Sequence, residues 1–286
     1  MTAPGPARSA ADLPGPALLF CPADRPDRFT KAAERADGVI LDLEDAVAAD
    51  ARAAARRALE AHPLDPDRTI VRVNAADSPE HVADVDAVRS AGYQRVMLAK
   101  ACSPADLTGL EGLQVIALCE TARGVLAAPE IAAEDSVVGL MWGAEDLMAS
   151  LGGTSSRFSV STSGVAAPYR PVARHARSRV LLAAGAYGKA AIDAVHLDLD
   201  DLVGLRGEAE DAAASGFAAT ACLHPQQVPI VREAYRPDAA RVRWAREVMA
   251  AVGERGGVQR HGSQMVDEPL LAQARAVLRR AGEQLT

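Results

Sequence analysis

Between Ala17 and Pro225 the chain repeats one pattern about eight times: a short, nearly unbroken apolar run, then a polar or Ala-rich stretch able to form a helix. The runs are Ala17–Cys21, Gly38–Asp45, Thr69–Asn74, Arg95–Lys100, Val115–Glu120, Ser136–Asp146, Ala191–Asp198 and Ala219–Pro225. A strand that is apolar on both faces must be covered on both sides, which is the condition of a parallel sheet with helical crossovers. Eight such units close into a (β/α)8 barrel, an α/β fold that needs roughly 250 residues. Several helix entries carry their own signals. Asp24-Arg25-Pro26 places Pro in a first turn, Ser78-Pro79-Glu80 and Ser103-Pro104 open helices, and Gly216 suits a helix end. Residues 17–236 are therefore assigned to the barrel. Residues 1–16, rich in Ala, Pro and Gly, are expected to form a disordered tail. Residues 237–286 exceed one closing helix. They are expected to form a helical extension, with helices near 239–252 and 269–282, that contributes to an oligomer interface.

The charge distribution narrows the range of partners. A net charge of −7 and 3% aromatic residues offer no general attraction to nucleic acid or anionic membrane and no base-stacking surface. The four cysteines, Cys21, Cys102, Cys119 and Cys222, match no zinc spacing and read as reduced thiols. No apolar run approaches the ~20 residues of a membrane span, and the N-terminus lacks the apolar segment of a signal peptide, so a cytoplasmic location is expected.

Polar residues collect where the apolar runs stop: Asp42, Glu44 and Asp45, Arg72 and Asn74, Lys100, Glu120, Asp146, Asp198 and His224. In a (β/α)8 barrel those positions form the mouth that carries chemistry. Any one acid there can be explained as a wet strand end. Glu120 and Asp146 are harder to explain so, because each closes a strongly apolar run. Neighbouring strands lie about 4.8 Å apart, so two such carboxylates can touch one ion. Two protein oxygens with the remaining positions left to water and substrate is the usual way of holding Mg2+. Such an ion would act as a Lewis acid on a substrate oxygen. Arg72, rare inside an apolar run, can take a substrate carboxylate by two parallel hydrogen bonds, or pair internally with Asp42 or Glu44. Other motifs are weaker. Gly152-Gly153-Thr154-Ser155-Ser156 lacks the Lys of a phosphate loop, no G-x-S-x-G is present, and acids at the mouth would keep Lys100 charged against a Schiff-base role.

The segments LFCPADRPDRFTKA, GVILDLEDAV, TIVRVN, ETARG, WGAEDL, CLHPQQ and GSQMVDEP, in that order, resemble the citrate lyase beta-subunit-like family, in its stand-alone branch. The resemblance spans Ala17 to Gly282. It implies a (β/α)8 barrel assembled as a homotrimer, with Mg2+ on Glu120 and Asp146. It implies that Arg72 binds the carboxylate of a keto acid, with Glu44 and Asp45 beside the metal and, like Glu120, lining the substrate site. It implies that Asp267 is a catalytic group offered to a neighbour's site. The implied reaction is reversible carbon–carbon cleavage of a 3-hydroxyacyl-CoA to an acyl-CoA and a keto acid.

The chain departs from the family pattern beside the mouth. Lys100-Ala101-Cys102 stands where Lys-x-Glu is common, Tyr169-Arg170-Pro171 where Tyr-Arg-Asp is common, and Pro22-Ala23-Asp24 where Pro-Gly opens. The loop 158–167 also differs from the family's usual Gly/Arg-rich turn. These changes bear on substrate identity. Two other functions fit the same scaffold: a CoA-independent, Mg2+-dependent pyruvate aldolase, and a non-catalytic subunit that binds acyl-CoA.

Overall fold

The apolar runs become eight parallel strands because each can bury both of its faces. The computed structural model describes residues 13–158, 167–252, 259–261 and 264–283. The strands are β1 (Ala17–Pro22), β2 (Gly38–Asp42), β3 (Thr69–Val73), β4 (Arg95–Leu98), β5 (Gln114–Cys119), β6 (Val137–Trp142), β7 (Ala190–Asp193) and β8 (Ala219–Cys222). Each pairs in parallel with its successor, and β8 pairs with β1 to close the barrel. Every residue of β2, β3 and β4 is buried. Inside, Leu18, Ile40, Ile70, Met97, Ile116, Leu118, Met141 and Ile192 pack with Ala219 and Ala221, so aliphatic side chains fill the barrel.

The helices are α1 (Phe29–Arg35), α2 (Arg52–Ala61), α3 (His81–Ser90), α4 (Ala122–Ala132), α5 (Ala144–Ser150), α6 (Pro171–Ala186), α7 (Leu202–Ser215) and α8 (Gln227–Tyr235). Gly216 ends α7 with φ 111°, in the left-handed region that favours glycine. One expected helix is missing. Between β4 and β5 only a 3-10 turn, Pro104–Leu107, forms. Gly109 and Gly112 turn the chain back with φ of 90° and 82°, and too few residues remain for an α-helix. The N-terminal segment packs earlier than the expected limit of the tail at residue 16. Leu13 rests on the barrel core, and the Pro16 carbonyl accepts from Thr220 N at 2.9 Å. Residues 1–12 lie outside the described residues.

The chain divides into two compact units, Met1–Val231 and Arg232–Thr286. The second contains α9 (Ala239–Val252), α10 (Glu268–Arg280) and an antiparallel pair, β9 (Gln259–His261) with β10 (Gln264–Val266). Its own core is Ala245, Val248, Val266, Leu271, Ala274 and Leu278. Among the described residues no helix is long and apolar enough to cross a membrane.

Candidate active site

Asp42 ends β2 and is only 1% exposed. Its carboxylate accepts from Arg72 Nε at 2.7 Å and Nη2 at 2.6 Å, and from the backbone N–H groups of Glu44 and Ala46 at 3.0 and 3.1 Å. The parallel register sets Asp42 beside Arg72 on β3. Arg72 Nη1 also lies 3.0 Å from Glu44 Oε2, an ion pair without the alignment of a hydrogen bond. The internal pairing of Arg72 is thus with both acids at once. Burial opposes its charge, but the bonds to Asp42 and the nearby Glu44 and Glu120 hold its proton more tightly than usual. The guanidinium face lies 5.0 Å from the Phe20 ring.

Glu120 follows β5 directly and is 3% exposed. Its Oε1 accepts from Lys100 N at 3.1 Å. Lys100 can aim that N–H because its φ is 53°, a left-handed value rare for a non-glycine residue. Its ammonium pairs with Glu44 and lies 3.6 Å from Asp45 and 3.7 Å from Asp146. Partial burial opposes its charge, but Glu44, Glu120 and Asp45 hold its proton more tightly than usual. Burial first, then the charge of Asp146, pushes the Glu120 carboxyl up to about 8. Burial also raises Glu44, against the pull of Arg72 and Lys100.

Asp146 is not at a strand end. β6 stops at Trp142, Gly143 caps the next helix, and Asp146 lies in the first turn of α5. Acids are favoured there by the exposed N–H groups of the helix start. Its side chain is 38% exposed, and its carboxylate lies 3.7 Å from the Lys100 ammonium. The turn from β6 into α5 passes close to Glu120 because residue 143 has no side chain. A Cβ there would stand 2.7 Å from Glu120 Oε2 and 2.8 Å from its Cβ. Gly143→Ala is expected to push Glu120 off its position and lower kcat/KM about 10²-fold, the scale of an ångström misplacement, with the helical circular dichroism unchanged. Gly124 plays a similar part, since its bare Cα lets the Ala101 carbonyl approach the start of α4 just beyond Glu120.

Other candidates from the sequence disperse. His224 is exposed and accepts from Gln226 N at 3.3 Å, and Asp198 is exposed in the loop after β7. β7 ends instead at Asp193. That buried acid accepts from Trp142 Nε1 at 2.6 Å and from Arg177 Nη2 at 2.8 Å, and so ties the end of β6 to α6. His196, also buried, pairs through Nδ1 with Glu208 at 2.8 Å. Only the apolar–acid boundary at Ile192-Asp193 hinted at this bracing. Cys21, Cys119 and Cys222 are buried thiols, and burial pushes Cys119 up to about 12. Half-buried Cys102 has Sγ 3.1 Å from the Lys100 carbonyl and from Thr121 Oγ1. Asp267 belongs to the second unit, where it caps α10 by accepting from Leu270 N at 3.1 Å and is exposed. Most of the unusual loop 158–167 lies outside the described residues.

The fit to a divalent ion can be judged from charge. Among the described residues no three His, Cys, Asp or Glu side chains converge as a metal cage. Mg2+ does not need one, since it keeps waters and takes one or two carboxylates. Glu120 and Asp146 offer such a pair at one mouth, where the N–H of Lys100 reaches the first and its ammonium the second. The residues present fit Mg2+.

An eight-stranded parallel barrel that gathers an arginine, a lysine and acids at its mouth, from the strand ends and the first turn of α5, has the architecture of a barrel enzyme. Residues 17–225 match the HpcH/HpaI aldolase/citrate lyase family, and residues 240–283 match the HpcH/HpaI aldolase C-terminal domain. The chain belongs to the HpcH/HpaI aldolase/citrate lyase family. It is 55% identical over 269 residues to the citrate lyase subunit beta-like protein of Mycobacterium tuberculosis, covering 94% of this chain and 96% of that one. It is 30% identical to human mitochondrial citramalyl-CoA lyase, covering 92% and 84%. The crystal structure of CitE from M. tuberculosis in complex with magnesium, acetoacetate and coenzyme A matches with a TM-score of 0.88 at 54% identity, covering 94% of this chain and 99% of that one.

Proposed function

We propose that the chain is a Mg2+-dependent carbon–carbon lyase that cleaves, or forms, a 3-hydroxyacyl-CoA, giving an acyl-CoA and a keto acid. The observation that carries this reading is the placing of two carboxyls at one barrel mouth, Glu120 buried and Asp146 half-exposed, both reached by Lys100 through its N–H and its ammonium. Those two acids would hold the ion. Bound there, Mg2+ supplies Lewis-acid charge for the oxygen that becomes the keto group. Arg72, fixed by Asp42 and Glu44, orients the keto-acid carboxylate with the donors those acids leave free. Glu44 and Asp45 set the charge beside the substrate and hold Lys100. Cleavage removes the hydroxyl proton, shifts the carbon–carbon bond electrons to the acyl α-carbon and returns a proton there. Asp267, exposed at the head of α10, serves as the proton carrier for a neighbouring subunit in a cytoplasmic homotrimer. M. tuberculosis CitE, which binds magnesium and coenzyme A, supports the cofactor and the thioester class.

The test is a panel of 3-hydroxyacyl-CoA thioesters, with acetyl- or propionyl-CoA plus glyoxylate or pyruvate in the reverse direction. Keto acid and acyl-CoA should appear together, in equal amounts, and only with Mg2+. Free thiol without keto acid would mean thioester hydrolysis, and turnover in chelator would reject the metal reading. Mixing inactive Arg72→Ala and Asp267→Ala subunits should restore part of the activity if Asp267 acts across subunits.

A further inference from the structure

Three of the 31 basic residues are lysines: Lys31, Lys100 and Lys189. Buried ion pairs away from the mouth use arginine, as in Arg56 with Asp84 and Arg177 with Asp193. At the mouth the chain places a lysine, in the only positive-φ backbone of a non-glycine residue among the described residues. That conformation lets one residue touch both paired acids. The N–H of Lys100 braces Glu120 at 3.1 Å, and its ammonium stands 3.7 Å from Asp146. The same ammonium contacts Glu44 and lies 3.6 Å from Asp45. Arg72 has little charge to spare for these acids, since Asp42 takes two of its nitrogens and Glu44 faces the third.

We infer that Lys100 is a displaceable placeholder, whose ammonium neutralises Asp146 while no divalent ion is bound and withdraws toward Glu44 and Asp45 when one binds. The inference rests on the reading of Glu120 and Asp146 as the ion's ligands. A cation beside Asp146 competes with any ion that needs the same carboxylate. An ammonium is a compact charge on a flexible stem and can retreat, whereas a forked guanidinium is held by its geometry. Retreat is easy here because the contact with Glu44 need not be given up. The backbone of Lys100 stays in place and continues to aim Glu120. Lys100 is thus a positioning residue that sets how tightly the metal is held.

The test is calorimetric titration of the full chain with MgCl2 alone, without substrate. Lys100→Met removes the ammonium and keeps the length of the side chain. Lys100→Asn removes it with a residue more tolerant of positive φ. Both should bind Mg2+ about fivefold or more tightly than the unaltered protein, the effect of deleting one nearby unit charge. Their metal-free melting temperatures should fall, and Mg2+ should restore more of the loss than it adds to the unaltered protein. A lysine that only holds the acids together would give the opposite result, weaker Mg2+ binding as the acids spread. Weaker or unchanged binding in folded variants overturns the inference and leaves the metal reading intact. If the unaltered protein binds no Mg2+, the metal reading falls and this inference with it. Should neither variant fold, lysine-labelled NMR of the unaltered protein decides. The Lys100 ammonium protons should exchange with water faster once Mg2+ is added, and unchanged or slower exchange overturns the inference.

Discussion

Replacing Glu120 by Gln should make the metal-free protein more stable and the enzyme nearly inactive. In the metal-free fold the Glu120 carboxyl is raised to about 8 by burial and by Asp146. The folded state therefore holds that proton more tightly than the unfolded chain does. Stability is greatest below the ordinary carboxyl value of 4.5 and is lost as pH rises through about 8. At pH 7 the loss is on the order of 3 kcal/mol, which a Gln would not suffer. Urea unfolding at a series of pH values, without metal, should show the unaltered protein losing ground to Glu120→Gln between those limits. Added Mg2+ should reverse the ranking, because only the carboxylate gains from the ion. Turnover should fall about 10³-fold or more in the variant, roughly 4 kcal/mol of transition-state stabilisation. Retained Mg2+-dependent turnover would remove Glu120 from the metal site. A flat stability difference across pH would show that the carboxyl is ionised at no cost in the fold.

Arg72→Lys should keep the charge and lose the function. One ammonium cannot make two parallel bonds to Asp42, face Glu44 and still orient a carboxylate. In the condensing direction, KM for the keto acid should rise sharply while KM for the acyl-CoA changes little. The combined loss in kcat/KM should reach about 10³-fold, roughly 4 kcal/mol. Stability should fall by about 2 kcal/mol, less than the 3–5 kcal/mol expected when a buried pair loses one partner outright. An unchanged keto-acid KM with the same loss of stability would make Arg72 an internal counter-ion only.

The barrel was legible because its strands carry a signal that little else produces: apolar runs too short for buried helices, recurring with polar stretches between them. The first error was local. Ser103-Pro104 reads as a helix start, but Gly109 and Gly112 leave only a 3-10 turn before β5. The second concerned Asp146, which the sequence pattern places on β6 and the structure places on α5, beyond a glycine that ends the strand. Asp146 still reaches the barrel mouth, 3.7 Å from the Lys100 ammonium, because a helix entering just past the strand returns its first turn there.

The sequence alone set which acids and cations stand at the ends of apolar runs, since burial of a strand is decided by its own residues and their neighbours in the chain. It left open whether Arg72 meets Asp42, Glu44 or a substrate, and it gave no sign that Lys100 adopts a left-handed backbone. Those were decided by closure of the barrel, which brings residues 42, 72, 100 and 120 into one largely buried volume with 146 at its solvent edge. Charges interact through the distance and dielectric between them, and the order of residues along a chain fixes neither. The raised carboxyl of Glu120 and the ammonium beside Asp146 exist only once that volume has formed.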